Sequence, residues 1–213
     1  MATPQDIRIL IETLIENTYN KSIQDNNTQL FVDFLNDNPE YKIYVKKIKV
    51  SDNNSSIIST LPNLQTLNCS LCYKLDTIPF LSKLETLICH NSYVSSIPEL
   101  PLLTTLDCSY CDIIFLPNLP NLETLNCERS MRIIKIPYYP KLITLKCGLC
   151  TSLRDIPSMP NLITLDCSEC ECIISLPEFP NLTSLDHECC SCLSNINIPK
   201  YPKLIKNGAF SAN

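Results

Sequence analysis

Hydrophobic residues recur along most of the chain in one short phrase: a leucine, a second leucine three residues later and, in all but the last copy, a cysteine two residues after that. The copies read NLQTLNC, KLETLIC, LLTTLDC, NLETLNC, KLITLKC, NLITLDC and NLTSLDH. Their first leucines lie 19 or 20 residues apart and are Leu64, Leu84, Leu103, Leu122, Leu142, Leu162 and Leu182. A fixed period of this length predicts a solenoid, in which each copy buries its apolar side against its neighbours.

Each copy divides into a strand segment and a return segment, and we number its residues from the first leucine as position 1. Polar and apolar residues alternate from position 3 to position 7, which predicts a short β-strand with positions 4 and 6 buried. The return carries Ile/Leu-Pro-x-x-Pro, as in IPELP and LPNLP. Two prolines favour an extended, polyproline-like return over a helix. Successive strands are therefore expected to stack in parallel.

Degenerate copies extend the array at both ends. VKKIKVSDN, which begins at Val45, matches an opening copy, whereas KLIKNGAF keeps Leu204 but lacks the second leucine. We therefore predict nine copies, with the repeat array over residues 45–203 and a C-terminal cap over residues 204–213.

Residues 1–44 lack the repeat and are predicted to form a helical N-terminal cap. Thr3 followed by Pro4 is typical of a helix N-cap and a proline at the first helical position. The apolar residues expected on the buried face of this helix are Ile7, Leu10, Ile11, Leu14 and Ile15. A second helix is predicted from Thr28 to a point before Pro39. The two helices would cover the first strand of the solenoid, which otherwise exposes an unpaired edge.

The repeated copies resemble the leucine-rich repeat family. Its pattern L-x-x-L-x-L-x-x-N/C-x-L is met by Leu103, Leu106, Cys108, Cys111 and Ile113. The return resembles the short repeats of bacterial effector proteins, and cysteine at position 9 resembles the repeats that accompany F-box proteins. The Leu-x-Cys-x-x-Cys core with Asn/Lys-rich flanks is similar to repeat proteins of giant DNA viruses. The resemblance implies an α/β repeat solenoid with a parallel β-sheet on its concave face, a proline-rich extended convex side and a short helical N-terminal cap.

Composition and charge narrow the possible partners and compartments. The net charge of -5 argues against broad binding to nucleic acid or to an anionic membrane. The start, MATPQDIRIL, lacks the basic and apolar regions of a signal peptide. The sequence also lacks a run of about 18 apolar residues, which a membrane-spanning helix would need. We therefore expect a cytoplasmic protein that is not secreted, or one in the host cytoplasm if it is viral. Free thiols are the usual state of cysteines there.

Most of the 14 cysteines fall at positions 6 and 9 of the repeat. Cys147, Cys150, Cys167 and Cys170 have the spacing C-x2-C-x16-C-x2-C, which also describes a four-thiolate zinc site. The copies CHNS and CERS, however, keep the first cysteine and lose the second. Buried cysteine behaves as a small hydrophobe, and a polar group at position 9 can satisfy the backbone of the neighbouring copy. We expect core thiols and no cofactor, with zinc binding as an alternative; His187, Cys189, Cys190 and Cys192 form a second candidate cluster.

Catalysis is not expected from this sequence. A Cys-His pair needs side chains that converge in a cleft, but Cys89 and His90 are neighbours that point to opposite faces of a strand. With Gly148 and Gly208 as the only glycines, no Gly-rich phosphate loop is possible. We therefore predict that the protein is not an enzyme.

The solvent-facing positions 5 and 7 vary on a constant frame, which is typical of a recognition surface. The predicted partner-binding residues on the concave face are Asn68, Ile88, His90, Asp107, Asn126, Glu128, Lys146, Asp166, Asp186 and Glu188. Acidic residues gather in the later copies, which favours a basic or mixed-charge protein partner. The predicted function is a non-enzymatic protein–protein interaction module. A substrate receptor of a ubiquitin ligase, with a divergent F-box-like N-terminus, and a thiol-based zinc protein are the alternatives.

Overall fold

Two N-terminal α-helices precede an array of short strands in the computed structural model, which describes residues 3–193 and residue 203. The helices are α1 (Pro4–Gln24) and α2 (Thr28–Asp37), and two 3-10 helices span Pro39–Tyr44 and Ser55–Thr60. The strands are β1 (Lys47–Lys49), β2 (Thr66–Asn68), β3 (Thr86–Ile88), β4 (Thr105–Asp107), β5 (Thr124–Asn126), β6 (Thr144–Lys146), β7 (Thr164–Asp166) and β8 (Ser184–Asp186). None of the described helices is both long enough and apolar enough to cross a bilayer.

The strands form one parallel sheet in chain order, from β1 to β8. The register joins equivalent positions of successive copies, so that Thr66 lies opposite Thr86 and Thr86 lies opposite Thr105. A period of 19 or 20 residues thus returns the chain to the same register one strand further on. The predicted solenoid with a parallel β-sheet is confirmed.

The core of the solenoid is a stack of equivalent apolar side chains. In the copy that begins at Leu122, this leucine, Leu125 and Cys127 all have 0% exposure. Its return adds Ile136 and Tyr139, and the Tyr139 hydroxyl donates a hydrogen bond to the Pro117 carbonyl at 3.0 Å. Each copy therefore places both its strand and its return against the same core, and no helix follows Thr60 in the described residues.

The N-terminal helices pack at the β1 end of the sheet. Helix α1 begins at a capping box, in which Thr3 Oγ1 accepts from the Asp6 N–H at 3.2 Å and Asp6 Oδ2 accepts from the Thr3 N–H at 2.8 Å. The predicted N-cap and the second helix are confirmed. Lys47 Nζ of β1 lies 3.0 Å from Glu16 Oε1 of α1. Four apolar side chains of the helices join the core of the solenoid: Ile15, Phe31, Val32 and Leu35.

The predicted buried face of α1 is wrong in large part. Ile15 is buried, with 6% exposure, but Ile7, Leu10 and Leu14 are 50%, 66% and 45% exposed. Consecutive residues of an α-helix lie about 100° apart around the axis, so Leu14 points well away from the arc that contains Ile15. Helix α1 packs mainly against α2 and the 3-10 helix at Pro39–Tyr44, so only the arc with Ile15 and the partly buried Ile11 reaches the core.

The end of the eighth copy, after Leu193, and the ninth copy, predicted as the C-terminal cap over 204–213, lie outside the described residues, apart from residue 203.

Candidate partner-binding face of the sheet

The residues that the sequence singled out lie along the solvent side of one sheet. We call the side chains at positions 3, 5 and 7 of the copies that begin at residues 64 to 182 the outer sheet face. In β2 to β7 the middle residue of each strand is buried, whereas its neighbours are half-buried or exposed. Of the ten predicted binding residues, Lys146, Asp186 and Glu188 are exposed. The half-buried ones are Asn68, Ile88, His90, Asp107, Asn126, Glu128 and Asp166.

Position 5 has a structural role besides its place on the outer sheet face. Asp107 Oδ1 accepts hydrogen bonds from the backbone N–H of Ser109 at 3.1 Å and from its hydroxyl at 2.7 Å. The Oδ1 atoms of Asn68, Asn126, Asp166 and Asp186 accept the backbone N–H two residues on in the same way. Such Asx-turns satisfy an N–H group that the chain leaves unpaired as it exits the strand. Position 5 is therefore Asn or Asp in five of these seven copies. Ile88 and Lys146 occupy it in the other two.

A left-handed residue at position 8 turns the chain away from the sheet. These residues are Leu71, Asn91, Tyr110, Arg129, Leu149, Glu169 and Cys189, with φ between 51° and 63°. The N–H of Tyr110, for example, donates to the carbonyl of Glu128 in the next copy at 2.8 Å. The backbone ladder therefore continues past each strand, which holds the position-7 side chains in register.

Most side chains at position 9 donate to the preceding copy, as the sequence predicted, whereas the Ser92 hydroxyl donates to the Cys89 carbonyl of its own copy. Cys111 Sγ donates to the Cys89 carbonyl at 3.1 Å, and Cys150 Sγ donates to the Cys127 carbonyl at 3.1 Å. Ser130 occupies the same position, and its hydroxyl donates to the Cys108 carbonyl at 2.8 Å. A thiol or a hydroxyl can fill this position because either one supplies the donor.

The thiols at positions 6 and 9 interact diagonally between neighbouring copies. A hydrogen bond with the Cys150 thiol, together with burial, raises the pKa of Cys127. A hydrogen bond with the Cys170 thiol and burial raise the pKa of Cys147 in the same way. Conversely, a hydrogen bond from the Cys89 thiol lowers the pKa of Cys111 to about 7. Each such pair joins position 6 of one copy to position 9 of the next.

The described residues do not assemble a metal centre. Within residues 3–193 and 203, no group of three or more His, Cys, Asp or Glu side chains is arranged to hold a metal ion. The predicted zinc alternative, Cys147, Cys150, Cys167 and Cys170, is divided among different contacts, because Cys150 reaches back to Cys127 and Cys170 donates to the Cys147 carbonyl at 3.0 Å. The second candidate cluster, His187, Cys189, Cys190 and Cys192, is likewise not arranged to hold a metal ion in the described part of the chain.

The charge on the outer sheet face is predominantly negative. Positions 5 and 7 carry five carboxylates, on Asp107, Glu128, Asp166, Asp186 and Glu188, against the single amine of Lys146. Asp166 is the register partner of Lys146 on one side and of Asp186 on the other. Neighbouring strands lie about 4.8 Å apart, so the carboxylates of β7 and β8 create a negative field at the later copies.

A row of exposed side chains beside the turns was missed in the sequence. We call Leu71, Tyr73, Tyr93, Tyr110, Arg129 and Met131, at positions 8 and 10, the turn ridge. The rings of Tyr73 and Tyr93 meet edge to face with centroids 5.3 Å apart, and the Arg129 guanidinium lies 5.3 Å from the centre of the Tyr110 ring. Tyrosine recurring at two turn positions of successive copies is the signal that could have revealed it.

Comparisons with protein-family models, curated proteins and solved structures give no match to this chain.

Proposed function

We propose that this protein is a non-enzymatic recognition module of the leucine-rich repeat type. In this proposal the outer sheet face is the concave face of the solenoid, and another protein binds along it. The observation that carries the proposal is the excess of carboxylates over amines at positions 5 and 7, held on a register-matched sheet. A partner of basic or mixed charge complements this surface.

The backbone supports binding without prior ordering. Hydrogen bonds between copies continue from the strands into the turns, as in the pair Cys147 N–H to Asp166 carbonyl at 2.8 Å and Leu149 N–H to Ser168 carbonyl at 2.8 Å. A surface that is already ordered loses little conformational entropy when a partner binds. The proposed partner therefore meets a rigid row of charges, and this row also steers its approach.

The turn ridge extends the proposed interface beyond the charged rows. Tyr93 and Tyr110 are 63% and 50% exposed, although aromatic side chains usually gain from burial. Tyrosine and arginine are the residues most enriched among the energetic centres of protein interfaces. We infer that the partner covers the ridge with an apolar segment while its basic groups face the carboxylates.

A second candidate function is the substrate receptor of a ubiquitin ligase, in which α1 docks an adaptor protein. Its support is the exposed apolar row of α1, formed by Ile7, Leu10 and Leu14. Leu10→Gln with Leu14→Gln tests it, because both side chains are largely outside the core. The adaptor function requires this variant to lose a partner that the outer-sheet variants below retain.

Asparagine variants test the outer sheet face without disturbing its turns. In Asp107→Asn, Asp166→Asn and Asp186→Asn combined, the amide oxygen keeps the acceptor role that Asn68 and Asn126 already have. The control combines Asp25→Asn, Asp33→Asn and Asp37→Asn, which remove the same amount of charge from the helical region. Proteins captured from native cells by wild type and both variants would be compared by quantitative mass spectrometry, with chemical cross-links locating the contact.

The proposal expects a partner that cross-links near β7 and β8 and binds the outer-sheet variant at least about tenfold more weakly, which corresponds to about 1.4 kcal/mol. The control variant should retain that partner. Equal capture by the outer-sheet variant and wild type, or cross-links confined to the return segments, would contradict the proposal.

A further inference from the structure

An open groove lies where successive copies leave their turns and enter their return segments. It has a volume of about 490 Å³ and is lined by Ile114, Arg132, Ile134, Ser152, Arg154 and Cys172. None of these residues belongs to the outer sheet face or to the turn ridge. The groove, which we call the arginine groove, is therefore a separate surface of the molecule.

One additional residue per copy builds the side of the groove that carries Arg132. The copies that begin at residues 122, 142 and 162 are 20 residues long, one more than the copy that begins at residue 103. The additional residue lies at position 11, as Arg132 and Ser152 do, and position 12 holds a residue with 0% exposure, such as Ile133. Because successive residues of an extended chain point to opposite sides, Arg132 and Ile134 flank the buried Ile133 and both face solvent.

Backbone hydrogen bonds between two copies fix the floor of the arginine groove. The Arg154 N–H donates to the Ile134 carbonyl at 2.8 Å, and the Ile136 N–H donates to the Asp155 carbonyl at 3.1 Å. Lys135 and Asp155 form an isolated parallel bridge at the same place. A ligand thus meets a groove that is already formed, so little ordering of the backbone opposes its binding.

Arg132 and Arg154 are exposed and form no ion pair within the described part of the chain. The ion pairs of that part involve Arg8, Lys46 and Lys47, near α1. Residues 1–2 and 194–213 contain no Asp or Glu, so the remaining side chains supply no carboxylate either. A guanidinium group can bind a carboxylate through two parallel hydrogen bonds. Both arginines are thus available for an acidic ligand.

The two isoleucines give the arginine groove an apolar part between its charges. Ile134 is 47% exposed and Ile114 is half-buried. Aliphatic side chains of a ligand that cover them are stabilised by about 25 cal/mol for each Å² of apolar surface removed from water. A nucleic acid would match the arginines alone, and the net charge of -5 on the whole chain opposes its approach. The combination favours a polypeptide that carries both carboxylates and aliphatic side chains.

We propose that the arginine groove binds an acidic segment of a second protein. Carboxylates of this segment pair with Arg132 and Arg154, and its aliphatic side chains cover Ile114 and Ile134. The proposal goes beyond the function assigned to the outer sheet face, because the arginine groove takes a ligand of the opposite charge on different residues.

Glutamine variants test the arginines with a matched control. Arg132→Gln combined with Arg154→Gln removes both charges from exposed positions and keeps long polar side chains. The control combines Lys21→Gln in α1 with Lys74→Gln, which removes the same charge from other exposed positions; Lys74 is the position-11 residue of the copy that begins at residue 64. Ile134→Thr tests the apolar part separately, and circular dichroism checks that every variant is folded.

The probe is a library of random peptides displayed on phage, selected on the immobilised full chain. Enriched peptides are synthesised with a fluorescein label, and fluorescence anisotropy gives their Kd for wild type and each variant. Iodoacetamide labelling of wild type, with and without a saturating peptide, locates the contact by mass spectrometry. Cys172 lines the arginine groove and reports on it, whereas Cys189 is exposed outside the groove and serves as the internal reference.

The proposal expects a class of enriched peptides that combine Asp or Glu with Leu, Ile or Val. Their Kd should rise at least about tenfold in the double arginine variant and about threefold in Ile134→Thr, and it should not change in the lysine control. A bound acidic peptide should slow the alkylation of Cys172 and leave that of Cys189 unchanged.

Three outcomes would overturn the proposal: no acidic class among the enriched peptides, an unchanged Kd in the folded double arginine variant, or unchanged alkylation of Cys172 under a saturating acidic peptide. The last measurement uses wild type, so it decides the matter even if the arginine variant does not fold. Failure here is distinct from failure of the outer sheet face. The Asp107→Asn, Asp166→Asn and Asp186→Asn variant should bind the acidic peptides as wild type does and lose only basic ones.

Discussion

Individual side chains close the gaps that the repeated turn leaves in backbone hydrogen bonding. An oxygen atom at position 5 accepts a hydrogen bond from the position-7 N–H, as in Asp107. A side chain at position 9 donates a hydrogen bond to a carbonyl of the preceding copy, as in Cys150. Asn replaces Asp and Ser replaces Cys in other copies with the same contacts. In most copies the choice therefore follows the donor or acceptor that the backbone lacks, and either Asn or Asp meets this need at position 5, so the charge there can vary.

This role predicts a difference between two substitutions of one residue. Asp107→Ala removes the acceptor for both the N–H and the hydroxyl of Ser109, so it should lower the free energy of unfolding by about 1 kcal/mol. Asp107→Asn keeps an acceptor and should change it by less than about 0.5 kcal/mol. Urea denaturation followed by circular dichroism measures both. Equal destabilisation by Asn and Ala would show that the carboxylate charge matters more than its hydrogen bonds.

The turn after each strand is the element that most constrains the choice of residue. Its left-handed position 8 is filled by Leu71, Tyr110 and Glu169 among others, and by asparagine in Asn91 alone. Apart from Gly, Asn and Asp, all residue types adopt this left-handed conformation at a cost of about 1 kcal/mol. The ladder hydrogen bond from each position-8 N–H offsets part of that cost, as in Glu169 to the Glu188 carbonyl at 2.8 Å.

Substitutions at one exposed turn test this balance. Glu169 has a φ of 55°. Glu169→Asn should raise the free energy of unfolding by about 0.5 kcal/mol, because Asn tolerates positive φ. Glu169→Val should lower it by about 1 kcal/mol, because a β-branched side chain clashes with the backbone there. Thermal and urea unfolding of the two variants supply the comparison, and stabilisation by Val would refute the assignment of strain to this turn.

The whole molecule is a linear stack in which each copy is covered only by its neighbours. Interior copies have a neighbour on both sides, and Leu125 accordingly has 0% exposure. Leu185 of β8 is half-buried, and both other residues of that strand are exposed. Stability in such a stack is approximately a sum of nearest-neighbour contacts, so an equivalent residue contributes less where its side chain is only half-buried.

Equivalent truncations at two places in the stack test this dependence. Leu125→Ala leaves a cavity in a closed part of the core and should lower the free energy of unfolding by about 2–5 kcal/mol. Leu185→Ala removes a side chain that is already partly in water and should lower it by about 1 kcal/mol. Urea unfolding of both proteins gives the two values. A loss at Leu185 as large as that at Leu125 would mean that β8 is covered as fully as β5.

Much of the fold was predictable because the evidence for it repeats at a fixed spacing. The leucine at position 4 marks every strand from β2 to β8, and the recurrence of Leu67, Leu87 and Leu106 at the same position of each copy predicts the register that the sheet has. The apolar row of α1 led to a wrong prediction of its buried face, because Leu10 fits the periodicity of such a face and yet is 66% exposed. Periodicity identifies an amphipathic helix, but the shape of the surface that receives the helix decides which residues it covers.

The sequence by itself determined the parallel strands, the buried ladders at positions 4 and 6 and the acidic bias of the outer sheet face, because each depends on one copy and its period. The tertiary structure alone decided that Asp107 and Asp166 close turns and that the Cys150 and Cys170 thiols donate to carbonyls of the preceding copy. These features depend on side-chain distances between copies and on the position of a copy in the stack. Neither quantity is encoded in the repeat, since the same phrase leaves Leu125 fully buried and Leu185 half-buried.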